Sequence, residues 1–307
     1  MDLTLGPVLF DWGRDKLLEF YKEAALWPVS DVYMGEVVCH RKRGLTLDDI
    51  GRVGEELHKA GKNVVVSTLA LISDDTELDV VREACRLPFA IEANDASALQ
   101  LAKGKKGLVA GPHITSYNYD SVEFLKGIGV NRVVFPVELS KDAMEAIAKN
   151  TDIETEAFVY GKLPLAFSWR CYTSRAFGLM KSNCKIDCRK FPEGMMIETL
   201  ERNPLFIVNG TQVMSALTMN LIDYLEELKD IGITKARISP QYGVTGDVIK
   251  VFKDRLDGNI SVEEANNRLR PLEKIGFCNG WYHGKAGWED VRESAEWKSV
   301  VIEKWRD

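Results

Sequence analysis

The stretch VYMGEVVCHRKRGLTLDDIGRVGEELHKAGKNVVVSTL, residues 32–69, contains a complete strand, helix and strand pattern. Its ends are short apolar runs at residues 32–38 and 63–69, and its middle, residues 46–60, has the apolar spacing of an amphipathic helix. Thr46 stands where a helix N-cap is expected. Two strands joined by one helix pair in parallel through a right-handed crossover. This stretch therefore predicts one β/α unit.

The same alternation runs along most of the chain. Further strands are predicted at residues 3–10, 89–92, 107–110, 132–136, 154–159 and 236–239, with an extra apolar run at 205–209. Further helices are predicted at residues 15–26, 75–85, 96–103, 121–128, 141–149 with Ser140 as N-cap, 212–231, 246–256 and 262–269. About eight such strands, without a glycine-rich phosphate-binding motif, favour a TIM-like (β/α)8 barrel, complete or distorted, over a doubly wound sheet.

The domain organisation follows from the same pattern. Residues 1–307 are predicted to form a single α/β barrel domain. Residues 164–212 break the alternation and carry turn signals, so we expect an insertion folded over the barrel mouth. Residues 246–307 are expected to be a C-terminal helical segment that ends in a short amphipathic helix or frayed tail at 294–307.

Composition narrows the class of protein. The chain has 307 residues, is 45% hydrophobic and carries a net charge of -6, which disfavours a dedicated nucleic-acid binder. The sequence has no apolar run of about 18 to 20 residues, so no transmembrane segment is expected. Its first residues lack the basic region of a signal peptide, and a cytoplasmic location is therefore expected. Clustered cysteines in that compartment more often bind metal or do redox chemistry than form disulfides.

Four of the six cysteines form the leading candidate site. Cys171, Cys184 and Cys188 have the spacing C-x12-C-x3-C among basic residues, and Cys39 lies far upstream. Thiols four residues apart on a helix share one face, and in a barrel the loops after the strands bring distant residues to one end. A metal site and a set of partly exposed structural thiols are both consistent with this spacing. Cys85 fits a buried helix position, and Cys278 lies in a glycine- and aromatic-rich stretch.

Polar residues at predicted strand ends form a second candidate set. Substrate binding is predicted for three of them, Glu36, Asn94 and His113, although helix caps and loop anchors use the same residue types. Four others occupy similar positions: Thr68, Glu92, Glu138 and Asn209.

The segment EAFVYGKLPLAFSWRC, residues 156–171, resembles the signature of the collagenase-like peptidase family. The motifs LGPVLF, YMGEVVCHRKR, VVVSTLAL, FPVELSKD, YGKLPLAFSWRCYTSR, the C-x3-C pair, FIVNGTQVMS, RISPQ and CNGWY follow in the order found in the ubiquinone-biosynthesis members of that family. The resemblance covers residues 3–283. It departs from the peptidase signature at Tyr160, Pro164 and Trp169, which puts peptidase activity and an RNA substrate in doubt.

The resemblance implies a function, a cofactor and partners. It implies a [4Fe-4S] cluster held by Cys39, Cys171, Cys184 and Cys188 in a barrel-like fold. It further implies a heterodimer with a UbiU-like protein, association with a UbiT-like sterol-carrier lipid-binding protein, and oxygen-independent hydroxylation of polyprenylated phenol precursors of ubiquinone under anaerobic conditions. Prephenate is implied as an oxygen donor, and RNA-base hydroxylation is the activity of related members. Four thiolates saturate such a cluster, so it would pass electrons or shape the site.

Three alternatives stay open at this stage. A zinc-bound structural protein is one, although closed four-thiolate zinc sites usually pair their cysteines at close spacing, and Cys39 and Cys171 have no such neighbours. A peptidase is another, but the sequence has four histidines and no G-x-S-x-G motif. RNA-base hydroxylation is the third, and the net acidity weakens it.

Overall fold

The computed structural model describes residues 1–42 and 44–292, and in this part of the chain strands and helices alternate as predicted. The strands are β1 Asp2–Leu5, β2 Asp31–Gly35, β3 Asn63–Ser67, β4 Ala90–Ala93, β5 Leu108–Ala110, β6 Val130–Val134, β7 Glu154–Phe167, β8 Met195–Glu198, β9 Pro204–Asn209, β10 Gln212–Asn220, β11 Lys235–Ile238 and β12 Phe277–Cys278. The α-helices are α1 Arg14–Ala24, α2 Leu47–Lys59, α3 Asp75–Ala84, α4 Ala96–Leu101, α5 Tyr119–Gly127, α6 Lys141–Ala148, α7 Tyr172–Ala176, α8 Leu225–Asp230, α9 Thr245–Leu256 and α10 Val262–Leu269. Short 3-10 helices cover Lys181–Asn183, Asp187–Lys190, Ile222–Tyr224, Arg270–Leu272 and Gly280–His283.

Eight of these strands close into a parallel barrel. Strands β1 to β7 pair in sequence order, and β11 joins β7 to β1 and completes the ring. Helices α1 to α6 each follow the strand of the same number, and α9 follows β11. The predicted (β/α)8 fold is therefore confirmed. Its closure places every loop that follows a barrel strand at one end of the molecule.

Local signals start the barrel helices where the sequence predicts them. The Thr46 hydroxyl accepts a hydrogen bond from the Asp49 backbone N–H at 3.1 Å, and the Asp49 carboxylate accepts one from the Thr46 N–H at 3.1 Å. This reciprocal capping box satisfies N–H groups that a helix start leaves without partners. Ser140 caps α6 by accepting from the Ala143 N–H at 3.4 Å. Both predicted caps are confirmed.

The core has two layers, one around the barrel and one inside it. Outward-facing strand residues such as Val32 and Met34 pack under the helices in the large buried cluster. Inside the barrel, Tyr33, Val65, Val109 and Val134 form a separate small cluster. Charged side chains of neighbouring strands share that interior, so the barrel lumen is both apolar and ionic.

The seventh strand continues beyond the barrel rim. At Gly161, which has φ +128°, an added Cβ would lie 2.7 Å from the Cβ of Ser239, so this close passage requires glycine. Beyond it, β7 pairs antiparallel with β10, and β9 and β8 extend the sheet. We call residues 162–220 the excursion. The excursion contains residues 164–212, where the insertion is expected.

The prediction of a helix at residues 212–231 is wrong. Residues Gln212–Asn220 form strand β10, and only Leu225–Asp230 are α-helical. Burial alternates along the first part of β10, as expected for a strand with one covered face. Pairing with β7 and β9 overrides the local helical pattern.

The C-terminal part keeps its two predicted helices. They are α9 and α10, which end as expected at Leu256 and Leu269. Strand β12 then pairs with β10 and returns the chain to the excursion. The amphipathic helix predicted at residues 294–307 lies outside the described residues. Within residues 1–42 and 44–292, no helix combines the length and the apolar composition needed to cross a membrane.

Candidate functional site

Four cysteines from three distant segments line one cavity at the barrel mouth. Cys39 lies on the loop after β2, Cys171 lies just beyond β7, and Cys184 and Cys188 lie in the excursion. All four are free thiols; Cys39 and Cys171 are buried, and the other two are partly exposed. Three basic side chains share the cavity wall: Arg41, Lys42 and Lys181. The four cysteines selected from the sequence therefore meet in space.

The Cys39 loop is organised by the carboxylate of Glu36. One Glu36 oxygen accepts the backbone N–H groups of Val38 at 2.9 Å and of Cys39 at 3.0 Å. The carbonyl of Cys39 accepts from the backbone N–H of Lys42 at 3.0 Å. The buried ammonium of Lys42 donates to the carbonyl of Leu9 and lies 3.7 Å from Glu36. Glu36 thereby supports the backbone around Cys39, and its predicted role in substrate binding stays a prediction.

Cys171 occupies the N-cap position of the short helix α7. Its sulfur accepts a hydrogen bond from the backbone N–H of Ser174 at 3.3 Å. The next residue, Tyr172, donates its N–H to the carbonyl of Gly210 at 2.8 Å, and Gly210 donates to the hydroxyl of Thr173 at 3.1 Å. The hairpin turn between β9 and β10 therefore fixes the backbone that carries Cys171.

Cys184 and Cys188 do not share a helix, contrary to the predicted geometry. Cys184 ends the 3-10 helix Lys181–Asn183, and Cys188 lies in the 3-10 helix Asp187–Lys190. Between them Ile186 has φ 58° and ψ 41°, a left-handed conformation that is uncommon for a β-branched residue. This reversal separates the two short helices while both thiols still face the same cavity.

Burial keeps two of the thiols protonated at neutral pH. Desolvation, reinforced by the nearby charge of Glu36, raises the pKa of Cys39 to about 11. Desolvation also raises the pKa of Cys188 to about 12, where Lys42 lowers it and Asp11 raises it. The carboxylate of Asp11 lies 3.8 Å from the Cys188 sulfur and also pairs with Arg189 at 3.2 Å. Metal binding at such thiols must release protons.

The described side chains do not already form a site for a single ion. In residues 1–42 and 44–292, no three His, Cys, Asp or Glu side chains converge closely enough to hold one metal ion. Zinc in a closed site needs four ligands at about 2.0 to 2.3 Å from one point. The arrangement of the four thiols does not fit that requirement.

Two of the other predicted residues meet at a second polar centre. Asn94 and His113 line a small cavity with Glu92 and Arg237 at the mouth of the barrel interior. The Asn94 amide donates to the carbonyl of Thr68 at 3.1 Å and to Glu92 at 3.3 Å. Burial, together with the charge of Arg237, lowers the pKa of His113 to about 3, so its imidazole is neutral. Glu36 is not part of this group.

A buried ion network lies beneath this centre, and sequence reasoning did not identify it. Arg237 pairs with Glu92 at 2.7 Å and with Glu156 at 2.8 Å, and its guanidinium lies 4.0 Å from the centre of the Tyr33 ring. Arg132 donates to the Tyr33 hydroxyl at 2.9 Å. Charged residues inside otherwise apolar strands were the available signal, because buried charges require partners.

The remaining polar candidates have structural contacts. Thr68 donates its hydroxyl to the carbonyl of Glu92 at 3.0 Å, and Asn209 donates to the carbonyl of Leu9 at 2.7 Å. Glu138 accepts from the hydroxyl of Tyr117. Near the cysteine cavity, a ring nitrogen of His40 contacts the Glu77 carboxylate at 3.0 Å.

Comparisons with known proteins agree on one family. The model of peptidase family U32 matches residues 17–292. The chain is 27% identical over 229 residues to tRNA hydroxylation protein P2 of Bacillus subtilis, covering 68% of this chain and 72% of that protein. It is 26% identical over 236 residues to the 23S rRNA 5-hydroxycytidine C2501 synthase of Escherichia coli, covering 72% of this chain but 34% of that protein. A Helicobacter pylori tRNA hydroxylation protein P is 33% identical over 175 residues, 50% of this chain and 40% of its own length.

Solved structures of low sequence identity were also found. A U32 peptidase aligns with a TM-score of 0.43 at 11% identity, covering 78% of this chain and 93% of that one. A tryptophan synthase alpha-subunit from Pyrococcus furiosus aligns with a TM-score of 0.44 at 10% identity, covering 88% of this chain and 97% of that one.

Proposed function

The chain belongs to peptidase family U32, and from this premise we propose that it is the iron-sulfur subunit of an oxygen-independent hydroxylase. The observation that supports the proposal is the meeting of Cys39, Cys171, Cys184 and Cys188 at one cavity. Relatives named for tRNA and rRNA hydroxylation support the reaction type. The divergence from the peptidase signature speaks against proteolysis, and so does the low basicity of the partly buried His113 imidazole, which makes it a poor general base.

The donor set fits a [4Fe-4S] cluster better than zinc. Thiolates are the ligands of such clusters, and four of them complete the coordination of a cubane. Closed four-thiolate zinc sites usually pair their cysteines at close spacing in the sequence, and Cys39 and Cys171 have no such neighbours. When bound, the cluster would supply one-electron transfer. The surrounding residues hold its ligands and place the positive charges of Lys42 and Lys181 near the thiolates.

The substrate class has two candidates. The named relatives act on RNA, and they favour an RNA base more directly than any other substrate. The ordered motifs resemble those of UbiV, the ubiquinone-biosynthesis member, and favour a polyprenylated phenol. The net charge of -6 also favours a neutral lipid precursor over a polyanion, because nucleic-acid binding depends on neutralising phosphates. We therefore keep the ubiquinone precursor as the main proposal and the RNA base as the second.

The same proposal includes partners and a compartment. We propose a heterodimer with a UbiU-like protein, delivery of the lipid by a UbiT-like sterol-carrier protein, and prephenate as oxygen donor. The motif resemblance supports these partners and this oxygen donor. Six free thiols are consistent with a reducing, cytoplasmic environment.

Metal analysis tests the cofactor. Protein purified without oxygen is expected to be brown, with broad visible absorption and iron and sulfide in equal amounts near four per chain. A colourless preparation loaded with zinc contradicts the cluster.

Deletion of the coding gene tests the substrate. In cells grown without oxygen, the ubiquinone proposal predicts loss of ubiquinone and accumulation of unhydroxylated precursor, measured by mass spectrometry of lipids. The RNA proposal predicts normal ubiquinone and loss of a hydroxylated nucleoside in digested tRNA or rRNA. Normal levels of both products contradict the proposed hydroxylase function.

A further inference from the structure

The carboxylate of Glu77 lies buried between two of the segments that carry the cysteines. Glu77 stands in the first turn of α3 and is 1% exposed. One of its oxygens, Oε2, accepts the backbone N–H of Ser73 at 2.7 Å and also the Ser73 hydroxyl. The Glu77 N–H donates to the carboxylate of Asp74, the N-cap of α3, at 2.9 Å. The start of α3 therefore fixes the position of the Glu77 carboxylate.

The second oxygen of Glu77, Oε1, contacts one side chain from each of these segments. The ammonium of Lys181 donates to it at 2.7 Å, and Nδ1 of His40 lies 3.0 Å from it. His40 directly follows Cys39 on the loop after β2, and Lys181 begins the 3-10 helix that ends at Cys184. One buried oxygen therefore joins the loop that carries Cys39 to the part of the excursion that carries Cys184.

The ion pair between Glu77 and Lys181 is shielded from water, because the two side chains are 2% and 18% exposed. Burial alone would raise the pKa of Glu77, but hydrogen bonds from Lys181 and Ser73 outweigh burial, so the pKa is lowered and the carboxylate stays charged. Removing one partner of a buried ion pair leaves the other charge without compensation. The Glu77 contacts are also shorter than a neighbouring contact between the same segments, that of Arg41 Nη1 with the Ser182 carbonyl at 3.5 Å.

We propose that Glu77 is a positioning residue for the cysteine site. By holding His40 and Lys181 at one oxygen, it sets the spacing between Cys39 and Cys184. The inference rests on the proposed function, in which both cysteines are cluster ligands, and adds a residue that acts on them through their neighbours. The alternative is that Glu77 only stabilises the start of α3. These two roles can be separated at Lys181, because its bond to the carboxylate reaches the excursion.

Hydrogen–deuterium exchange of the purified full-length chain, prepared without iron, tests the proposal. Glu77→Gln and Lys181→Met remove the two ends of the ion pair while keeping side chains of similar length. Each is expected to speed backbone exchange at least tenfold in residues 38–42 and 179–188. Glu83→Gln, at an exposed position on α3, should leave both segments at the wild-type rate. The double variant should exchange no faster than the faster single variant, because both changes remove the same interaction.

Iron release gives a second readout. In protein loaded with iron and sulfide, a chelator should remove iron at least fivefold faster from each single variant than from the wild type. Faster exchange confined to α3 in Glu77→Gln, or wild-type exchange of both segments in Lys181→Met, overturns the inference. Lys181→Met decides the case if Glu77→Gln does not fold, since it leaves the residues of α3 unchanged. Wild-type protein that takes up no iron contradicts the cluster, and the exchange measurement still decides the role of Glu77.

Discussion

The hydroxyl of Thr211 donates a hydrogen bond to the carbonyl of Val38 at 2.9 Å, and both groups are buried. These residues lie 173 positions apart in the chain. Thr211 belongs to the hairpin turn that also supports the Cys171 backbone, and Val38 precedes Cys39. A single side chain therefore connects the loop that carries Cys39 with the turn that supports the Cys171 backbone.

Removing this connection is expected to weaken the site. Thr211→Val leaves the Val38 carbonyl buried without its partner, so the free energy of unfolding should fall by about 1 to 3 kcal/mol, and iron should be lost faster on dilution. Chemical denaturation and iron release with a chelator measure the two effects. Thr76→Val, at an exposed position on α3, is the matched control and should change neither. Wild-type iron retention in Thr211→Val would show that the two loops hold their positions independently.

The four cysteines should behave as one set. Replacing Cys39, Cys171, Cys184 or Cys188 singly by serine is expected to remove most of the iron and the visible absorption, because a [4Fe-4S] cluster normally needs all its thiolates. Cys85→Ala is the control, since Cys85 is buried at the end of α3 and does not line the cavity. Full iron content in any of the four serine variants removes that residue from the ligand set.

Most of the fold could be predicted from the sequence because its signals are local. Each barrel strand is a short apolar run, and the caps at Thr46 and Ser140 begin their helices as expected. Strand β10 could not be predicted, because its apolar run is compatible with a helix until β7 and β9 pair with it. Long-range strand pairing determines the secondary structure of such segments, and this pairing cannot be predicted from a single sequence.

The candidate site, like the fold, could be predicted from the sequence only in part. The cysteines could be chosen from spacing, and barrel topology explained how Cys39 joins the others. The left-handed Ile186 and the Glu36 contacts could not be foreseen, because the backbone geometry of an irregular loop leaves no periodic pattern in the sequence. The Arg237 network was missed because a charged residue in a short strand gives no information about its partner.

Two glycines should respond to alanine in opposite directions. Gly35 has φ +123°, and a Cβ there would lie 2.4 Å from the carbonyl oxygen of Ser67, so Gly35→Ala should destabilise the protein by about 2 to 3 kcal/mol. Gly51 lies inside α2 with nothing within 4 Å of an added Cβ. Gly51→Ala should therefore stabilise it by about 0.5 to 1 kcal/mol. Denaturant unfolding compares them, and equal effects in both variants would contradict the structure around β2.

Because of His113, the free energy of unfolding should depend on pH even above the pH range in which carboxylates titrate. Its folded pKa is about 3, whereas an unfolded histidine titrates near 6.5, so between these values the unfolded chain binds the extra proton. Stability should therefore fall as pH drops from about 6.5 towards 3, with a slope of at most about 1.4 kcal/mol per pH unit from this group. His113→Gln removes that contribution. Unfolding curves at pH 5 and pH 7 measure this contribution, and His58→Gln, at an exposed position, is the control. If the free energy of unfolding of His113→Gln changes with pH as much as that of the wild type, the His113 imidazole is not desolvated in the folded chain.

Glu36 should support iron binding through the shape of its loop. Its carboxylate oxygen accepts the N–H groups of Val38 and Cys39, and an amide oxygen can accept both bonds equally well. Glu36→Gln is therefore expected to retain most of the iron, while Glu36→Ala leaves two N–H groups without their acceptor and should lower iron content several-fold. Iron per chain and the visible spectrum distinguish the variants. Because burial raises the pKa of Glu36, its carboxyl is easier to protonate than an exposed one, and the glutamine variant reproduces that neutral form. If Glu36→Gln loses as much iron as Glu36→Ala, the negative charge matters more than the loop geometry, and Glu36 would have to act on the cluster or substrate directly.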